Sequence, residues 1–354
     1  MPERRIPVSF LVLFVSLAST AAFAQGGSAP PPAPRAHRWL DWQAGTIDAR
    51  YRVIENSRNV TTANQMQWRE TARLGFLFDR RHRYSVQVLA GTGRTFNGSW
   101  DPLGPGTGEG SWDPNVRQLY LSATPVSGAT FEVGGIGLLR GEATEMTTWD
   151  NDGFVTGERA TLRRPRELFL DEISVTAGFL GDLTTPNVFR RFDRLDDHNY
   201  TQVLAAKRIA PRLDASADWT SFDGVSTIHE AVHITTKSRA PIDAVRVELY
   251  QRFEGTRGNG FALSAERALT GAVAVAVAGG YSDIDEHYGA LNADRVGIGR
   301  HLFTEVRYAV LPTLTVSAFY GVAVNTPFTI PNRQRFDLLA SWNLLKTAQR
   351  ARRW

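Results

Sequence analysis

Leu314-Thr315-Val316-Ser317-Ala318-Phe319-Tyr320-Gly321-Val322-Ala323-Val324 sets Leu314, Val316, Ala318, Tyr320, Val322 and Val324 on one parity and Thr315, Ser317, Phe319, Gly321 and Ala323 on the other. Successive side chains of a strand point to opposite faces, so a period of two makes one face apolar and the other polar or small. Phe336 to Leu345 repeats the pattern: Phe336, Leu338, Ala340, Trp342 and Leu344 oppose Asp337, Leu339, Ser341, Asn343 and Leu345.

The same grammar recurs back to Thr46. Ile47, Ala49, Tyr51 and Val53 oppose Asp48, Arg50 and Arg52, and Ala72, Leu74, Phe76 and Phe78 oppose Thr71, Arg73 and Gly75. Leu213, Ala215, Ala217 and Trp219 oppose Asp214 and Asp218; Val245, Val247 and Leu249 oppose Arg246 and Glu248; Thr304, Val306, Tyr308 and Val310 oppose Glu305 and Arg307. Short breaker-rich turns (Pro125 to Ala129, Ala210-Pro211, Arg239 to Pro241, Leu311-Pro312) alternate with long polar stretches (Asn97 to Asn115, Gly141 to Pro165, Gly181 to Asn199, Asp283 to Asp294). A soluble sandwich also alternates, but its loops are of mixed length at both ends. Short turns on one side and long loops on the other are the mark of outer-membrane barrels.

The N-terminus reads as an export signal over 1–24. Arg4 and Arg5 precede the apolar run Val8 to Leu17, and Ala22-Phe23-Ala24 is a small-x-small cleavage pattern. Residues 25–43 then read as a Pro/Ala-rich periplasmic leader ending in Trp39 and Trp42, whose indoles favour the headgroup level. Residues 44–345 are the expected barrel, and 346–354 a basic tail ending in Trp354. There are no cysteines, which excludes disulfides and thiolate metal sites. The formal charge of +4 is too small and too scattered to point to nucleic acid. Arginine supplies 37 of the 40 basic residues, which suits either a GC-rich genome or ordered charge ladders built from rigid donor forks.

These segments predict an all-β fold: a transmembrane antiparallel up-and-down β-barrel of roughly 14–16 strands, with short periplasmic turns and long extracellular loops. The chain resembles the porin-like outer-membrane β-barrels as a class, over nearly all the mature sequence, by pattern rather than by a signature motif. The resemblance implies a bacterial outer-membrane channel for passive diffusion of small polar solutes, with no cofactor. It implies outer-membrane lipid, the barrel assembly machinery and further copies of the chain as partners. Such barrels usually end in an aromatic residue that closes the last strand; here Lys346 to Arg353 breaks the alternation before Trp354.

In such a lumen the polar faces carry the chemistry. The pore-lining candidates are Arg50, Arg52, Arg73, Asp214, Asp218, Arg246, Glu248, Glu305 and Arg307, and opposed basic and acidic ladders would select solutes by charge, with an anion preference. Ion pairing inside a closed, nonconducting barrel is the alternative. Gly98-Ser99-Trp100-Asp101-Pro102 recurs as Gly110-Ser111-Trp112-Asp113-Pro114, which makes Trp100 and Trp112 candidates for a constriction or sugar-contact loop, or for structural turns.

His229-Glu230-Ala231-Val232-His233 matches HExxH, which on a helix binds zinc through both imidazoles with the glutamate as general base. Its β-favouring flanks instead place both histidines on one strand face about 13 Å apart, too far to share an ion. An outer-membrane hydrolase using His229, Glu230 and His233, or a lipid-modifying barrel, is the enzymatic alternative; an adhesive barrel is the structural one. Trp149 to Gly153 looks like a truncated calcium loop but lacks its closing glutamate, and reads as an Asx-rich turn.

Overall fold

The computed structural model describes residues 39–96, 98–143, 153–163, 169–181, 184–236, 240–253, 257–269, 274–285, 297–324 and 334–351. Its strands are β1 (Leu40–Glu55), β2 (Thr61–Leu77), β3 (Tyr84–Gly91), β4 (Asp101–Gly106), β5 (Asn115–Val126) and β6 (Ala129–Gly137). Next come β7 (Phe154–Arg163), β8 (Glu172–Phe179), β9 (Tyr200–Ala210), β10 (Leu213–Phe222), β11 (Val225–Thr235) and β12 (Ala244–Arg252). The series ends with β13 (Gly258–Leu269), β14 (Val275–Ile284), β15 (Gly299–Leu311), β16 (Leu314–Ala323) and β17 (Gln334–Asn343), followed by helix α1 (Leu344–Ala351).

Each strand of the wall pairs antiparallel with the next, and β17 returns to pair with β1 from Thr46↔Asn343 to Glu55↔Gln334. That closure makes a 16-strand barrel. The extra strand, β4, is short and extends the wall beside β2 at Gln65, Gln67 and Trp68, above the level where β3 stops. A closed ring leaves no open edge, so backbone amides are satisfied around the wall without solvent.

Parity sorts the side chains as the opening stretch predicts. Ser317 and Phe319 are buried within, whereas Tyr320 on the opposite parity is exposed. The outer face is a continuous apolar band that includes Leu121, Val133, Val175, Leu249, Leu263, Leu302 and Leu338, all more than two-fifths exposed. A band of that extent is not stable against water but is matched by hydrocarbon. Exposed aromatics mark both rims: Trp39, Phe78, Tyr84 and Trp342 at the short-turn end, Phe253, Phe261, Tyr320 and Phe336 at the other. No described helix is long and apolar enough to cross a membrane.

Connections at the end that carries both ends of the described chain include two-residue turns at 127–128, 211–212 and 312–313. The opposite end carries most of the long ones, such as 92–100, 138–153, 180–199 and 285–298. Several boundaries differ from the sequence reading, the short strand β4 inside the stretch from Asn97 to Asn115 being one. The stretch from Gly141 to Pro165, read as one loop, contains β7, because Val155, Gly157, Arg159 and Thr161 alternate with Phe154, Thr156, Glu158, Ala160 and Leu162 and the charges hid that period. Strand β1 begins at Leu40, inside the stretch read as leader. The helix Leu344–Ala351 takes in Leu344 and Leu345, read as the end of the last strand, and residues 346–351 of the tail; its first turn is capped by Asn343, the side chain accepting from the Lys346 amide at 2.8 Å. Trp354, the residues before Trp39, and Trp149 to Asp152 lie outside the described residues.

The two parities predict opposite tolerances. Leu338→Arg, outward at the middle of β17, is expected to cost about 2–4 kcal/mol of barrel stability. Ser317→Gln, inward on the adjacent strand, is expected to leave it nearly unchanged. Urea unfolding in lipid vesicles measures both.

Candidate functional site inside the barrel

The interior faces of β17, β1 and β2 form a wall of arginines. Arg52 grips Asp337 with Nε at 2.7 Å from Oδ1 and Nη2 at 2.9 Å from Oδ2, and Arg335 donates to the same carboxylate at 2.6 and 2.8 Å. Arg69 holds Asp48 at 2.7 Å. Arg50, almost wholly buried, donates through both Nε (2.9 Å) and Nη2 (2.6 Å) to the amide oxygen of Gln67. Cross-strand register puts these groups side by side: Arg52 faces Asp337, Arg50 faces Gln67, and Asp48 faces Arg69. Arg73 follows on the same face and donates to Gln118 at 3.4 Å.

Above this wall stands Trp100, its ring 3.9 Å from the Arg50 guanidinium and 4.6 Å from that of Arg69. A guanidinium over an indole face is a favourable cation–π pair. The second repeat behaves differently: Trp112 is exposed and its indole N–H reaches Glu70 at 3.5 Å, a residue of the outer face. The two GSWDP copies thus send their tryptophans to opposite sides of the wall. Asp101 joins them, fully buried and accepting from the Asp113 amide (2.9 Å) and the Ser111 hydroxyl (3.2 Å).

The loop bearing Trp100 is held by Arg117, a fully buried side chain of β5. Its guanidinium donates to the carbonyls of Thr92, Gly93, Thr95, Phe96 and Gly98 at 2.9–3.2 Å. Five inward-turned carbonyls in a tight loop would repel one another and lie unsatisfied without that cation. Gly93 is obligatory here, since it has φ +104° and a Cβ would lie 2.3 Å from the Gly98 carbonyl oxygen. At the loop's edge Arg94 pairs with Asp113, and the hydrogen bond from Arg94 holds that carboxyl below its ordinary range.

Eight strands around the ring, β10 to β12 present a wall of different character. Asp218 accepts from Thr220 (3.1 Å) and Gln202 (3.3 Å) and lies 3.5 Å from His229. Tyr250 donates to the buried Glu248, and its ring meets His229 edge-on at 5.5 Å. Asp214 faces His233 across β10–β11, and Arg246 faces His233 across β11–β12. Farther round, Arg307 pairs with Glu266 (3.2 Å) and Glu305 (3.7 Å).

A segment read as external loop also enters the interior. After β6, the Leu139 carbonyl accepts from Gln202 (3.0 Å), the Glu142 amide donates to Ser216 (2.7 Å), and the Glu142 carboxylate lies 3.5 Å from His233. Residues 139–142 therefore lie against the inner face of β9 to β11. Nothing in the sequence marked them, because loop insertion depends on partners far along the chain. Arg117, Arg69 and Arg335 were also missed, although Asp337, which Arg335 meets, stands in the alternating stretch from Phe336 to Leu345 that already gave its parity.

The HEAVH string lies on β11, with His229 and His233 inward and the exposed Glu230 outward opposite Leu249. A general base on the other face of the sheet cannot serve a metal held by those histidines. Among the described residues no group of three or more histidine, aspartate and glutamate side chains is arranged to hold a metal ion.

No protein family and no curated protein matches the sequence. Solved structures do match. A multiply substituted mutant of the Rh. blastica porin superposes with a TM-score of 0.54 at 12% identity, covering 86% of this chain and 99% of that one. Salmonella typhi OmpF, in complex with daunomycin, gives a TM-score of 0.54 at 10% identity, covering 86% and 97%. The chain has the porin barrel fold.

Arg117→Ala is expected to strip the loop's carbonyls of their donor, at about 1–3 kcal/mol for each left buried and unsatisfied. Limited proteolysis should then cut between residues 92 and 98, where the parent resists. The Arg94–Asp113 clasp gives a pH signature at the same place. Asp113 is more acidic folded than unfolded, so its contribution is present above the ordinary carboxylate pKa near 4 and is lost as pH falls through the lower folded value. Protease protection of the loop should therefore fall in acid, and Asp113→Asn should remove that dependence.

Proposed function

We propose that the protein is an outer-membrane channel for passive diffusion of small polar solutes, exported by its N-terminal signal and inserted with its short turns toward the periplasm. The observation that carries this reading is a closed barrel whose outer band is apolar while its inner face is lined by charged and hydrogen-bonded side chains. Barrel assembly machinery and surrounding lipid are the partners this placement requires, and a homo-oligomer is the form we expect.

We read Arg50, Arg52 and Arg73 as the basic side of the passage, with Asp214, Asp218 and Glu248 on the acidic side, Arg246 standing among them on β12, and Glu305 and Arg307 between the two sides. Opposed walls of this kind set up a transverse field that orients a polar solute as it passes. The segment around Glu142 narrows the passage from the acidic side and Trp100 from the basic side. Anion preference follows from the arginines that share Asp48 and Asp337 at the level of Trp100.

Planar bilayers test this. Purified protein should give discrete conductance steps, and a potassium chloride gradient should give a reversal potential favouring chloride. Replacing Arg50 and Arg52 with glutamine is expected to lower the chloride-to-potassium permeability ratio roughly two-fold. Asp218→Asn with Glu248→Gln should raise it. Reconstituted protein that never conducts would sink the channel reading and leave an occluded structural barrel.

A further inference from the structure

The hairpin that joins β2 to β3 carries Asp79-Arg80-Arg81-His82-Arg83 between two exposed aromatics, Phe78 and Tyr84. These two close the hairpin, the Phe78 amide donating to the Tyr84 carbonyl at 3.0 Å. Both share the outward parity of Phe76 and Val86, so their rings belong to the aromatic rim at the short-turn end. Asp79 fixes the loop between them. Its carboxylate accepts from the amides of Arg81 (3.1 Å), Arg83 (2.6 Å) and Tyr84 (3.0 Å), and the His82 amide donates to the Asp79 carbonyl at 3.1 Å.

That carboxylate is therefore turned onto the backbone, while Arg80, Arg81 and Arg83 are exposed and, among the described residues, in no ion pair. The surroundings do not neutralise them. The next turn, Ser127-Gly128, carries no acid, and Asp41 of the adjoining strand end stands opposite Gly75 on the interior parity. At the same end α1 packs against β1 and exposes Lys346 and Arg350.

Depth decides what meets these cations. Arg81 is three residues from each rim aromatic, which at strand rise places it at most about 10 Å beyond them. The headgroup layer is about 5–7 Å thick on each side of the hydrocarbon, and an arginine stem reaches back while its head stays at the polar level. Guanidinium forks match phosphate oxygens, and outward aromatic rings match the acyl chains below. An amphiphile with an anionic phosphate head satisfies both; a soluble anion satisfies only the first.

We propose that the β2–β3 hairpin is a binding site for an anionic phospholipid of the leaflet around the short-turn end. Arg80, Arg81 and Arg83 hold its phosphate, Asp79 sets their backbone, and Phe78 and Tyr84 flank its chains. The proposal rests on the barrel's placement in a membrane, not on conduction.

Native mass spectrometry of the detergent-solubilised full chain tests it. Dioleoylphosphatidylglycerol should bind about ten-fold more tightly than dioleoylphosphatidylcholine. Each of Arg80→Gln, Arg81→Gln and Arg83→Gln should weaken phosphatidylglycerol binding about five-fold, and the triple variant should lose the preference. Arg58→Gln, at the opposite end, should keep it. Asp79→Ala should weaken binding although it raises the net positive charge, because the loop loses three of its anchors. Equal binding of the two lipids, a preference retained by the triple variant, or tighter binding by Asp79→Ala overturns the proposal. So does glycerol phosphate competing as well as the lipid. Bilayer current from the same preparation keeps the readings apart: lipid preference without current sinks the channel alone, and current without lipid preference sinks the lipid site alone.

Discussion

Every backbone amide in the hydrocarbon layer must find a partner within the wall, and the pairing of β17 with β1 is what makes that possible. An unpaired amide there costs several kcal/mol, so a 16-strand sheet left open along one edge would not remain in a bilayer. Closure in turn fixes what the side chains can do. Once the ring is shut, each strand has one face toward lipid and one toward the interior, and a one-residue slip anywhere would turn polar groups into lipid.

The interior therefore inherits the charges that the outer face excludes, and it arranges them in contact rather than in isolation. Asp337 serves two arginines and Asp48 serves Arg69, whereas Asp218 is held by a glutamine, a threonine and a histidine. Two chain segments enter from the long-loop end and reach opposite walls. Trp100 settles on the arginines and Glu142 beside His233, so the same inner surface that tolerates charge also supplies anchors for what narrows it.

Period-two alternation made the strands and their parity legible, because parity is a local property. It also moved HEAVH off a helix, which places Glu230 outside. What alternation did not carry is how loops fold back. The insertion of residues 139–142 depends on Gln202, Ser216 and His233, contacts set by closure of the ring and invisible to any local window. Strand β7 escaped for a different reason: Glu158 and Arg159 stand side by side in it, so the outer face is not purely apolar and the period is blurred.

Arginine's dominance over lysine has two readings at the level of composition, and the contacts bear on the choice. Arg117 satisfies five carbonyls with one planar group, and Arg52 and Arg335 meet a single carboxylate through paired N–H bonds. An ammonium offers three donors from one point on a flexible stem and cannot span the Thr92 to Gly98 loop. Genome composition can raise the number of arginines, but it does not place them at Arg50 and Arg69, which donate from the fork and also meet the Trp100 ring, or at Arg117, whose fork reaches five carbonyls. At those three positions lysine would keep the charge and lose the geometry, so the interior depends on the shape of the cation as much as on its sign.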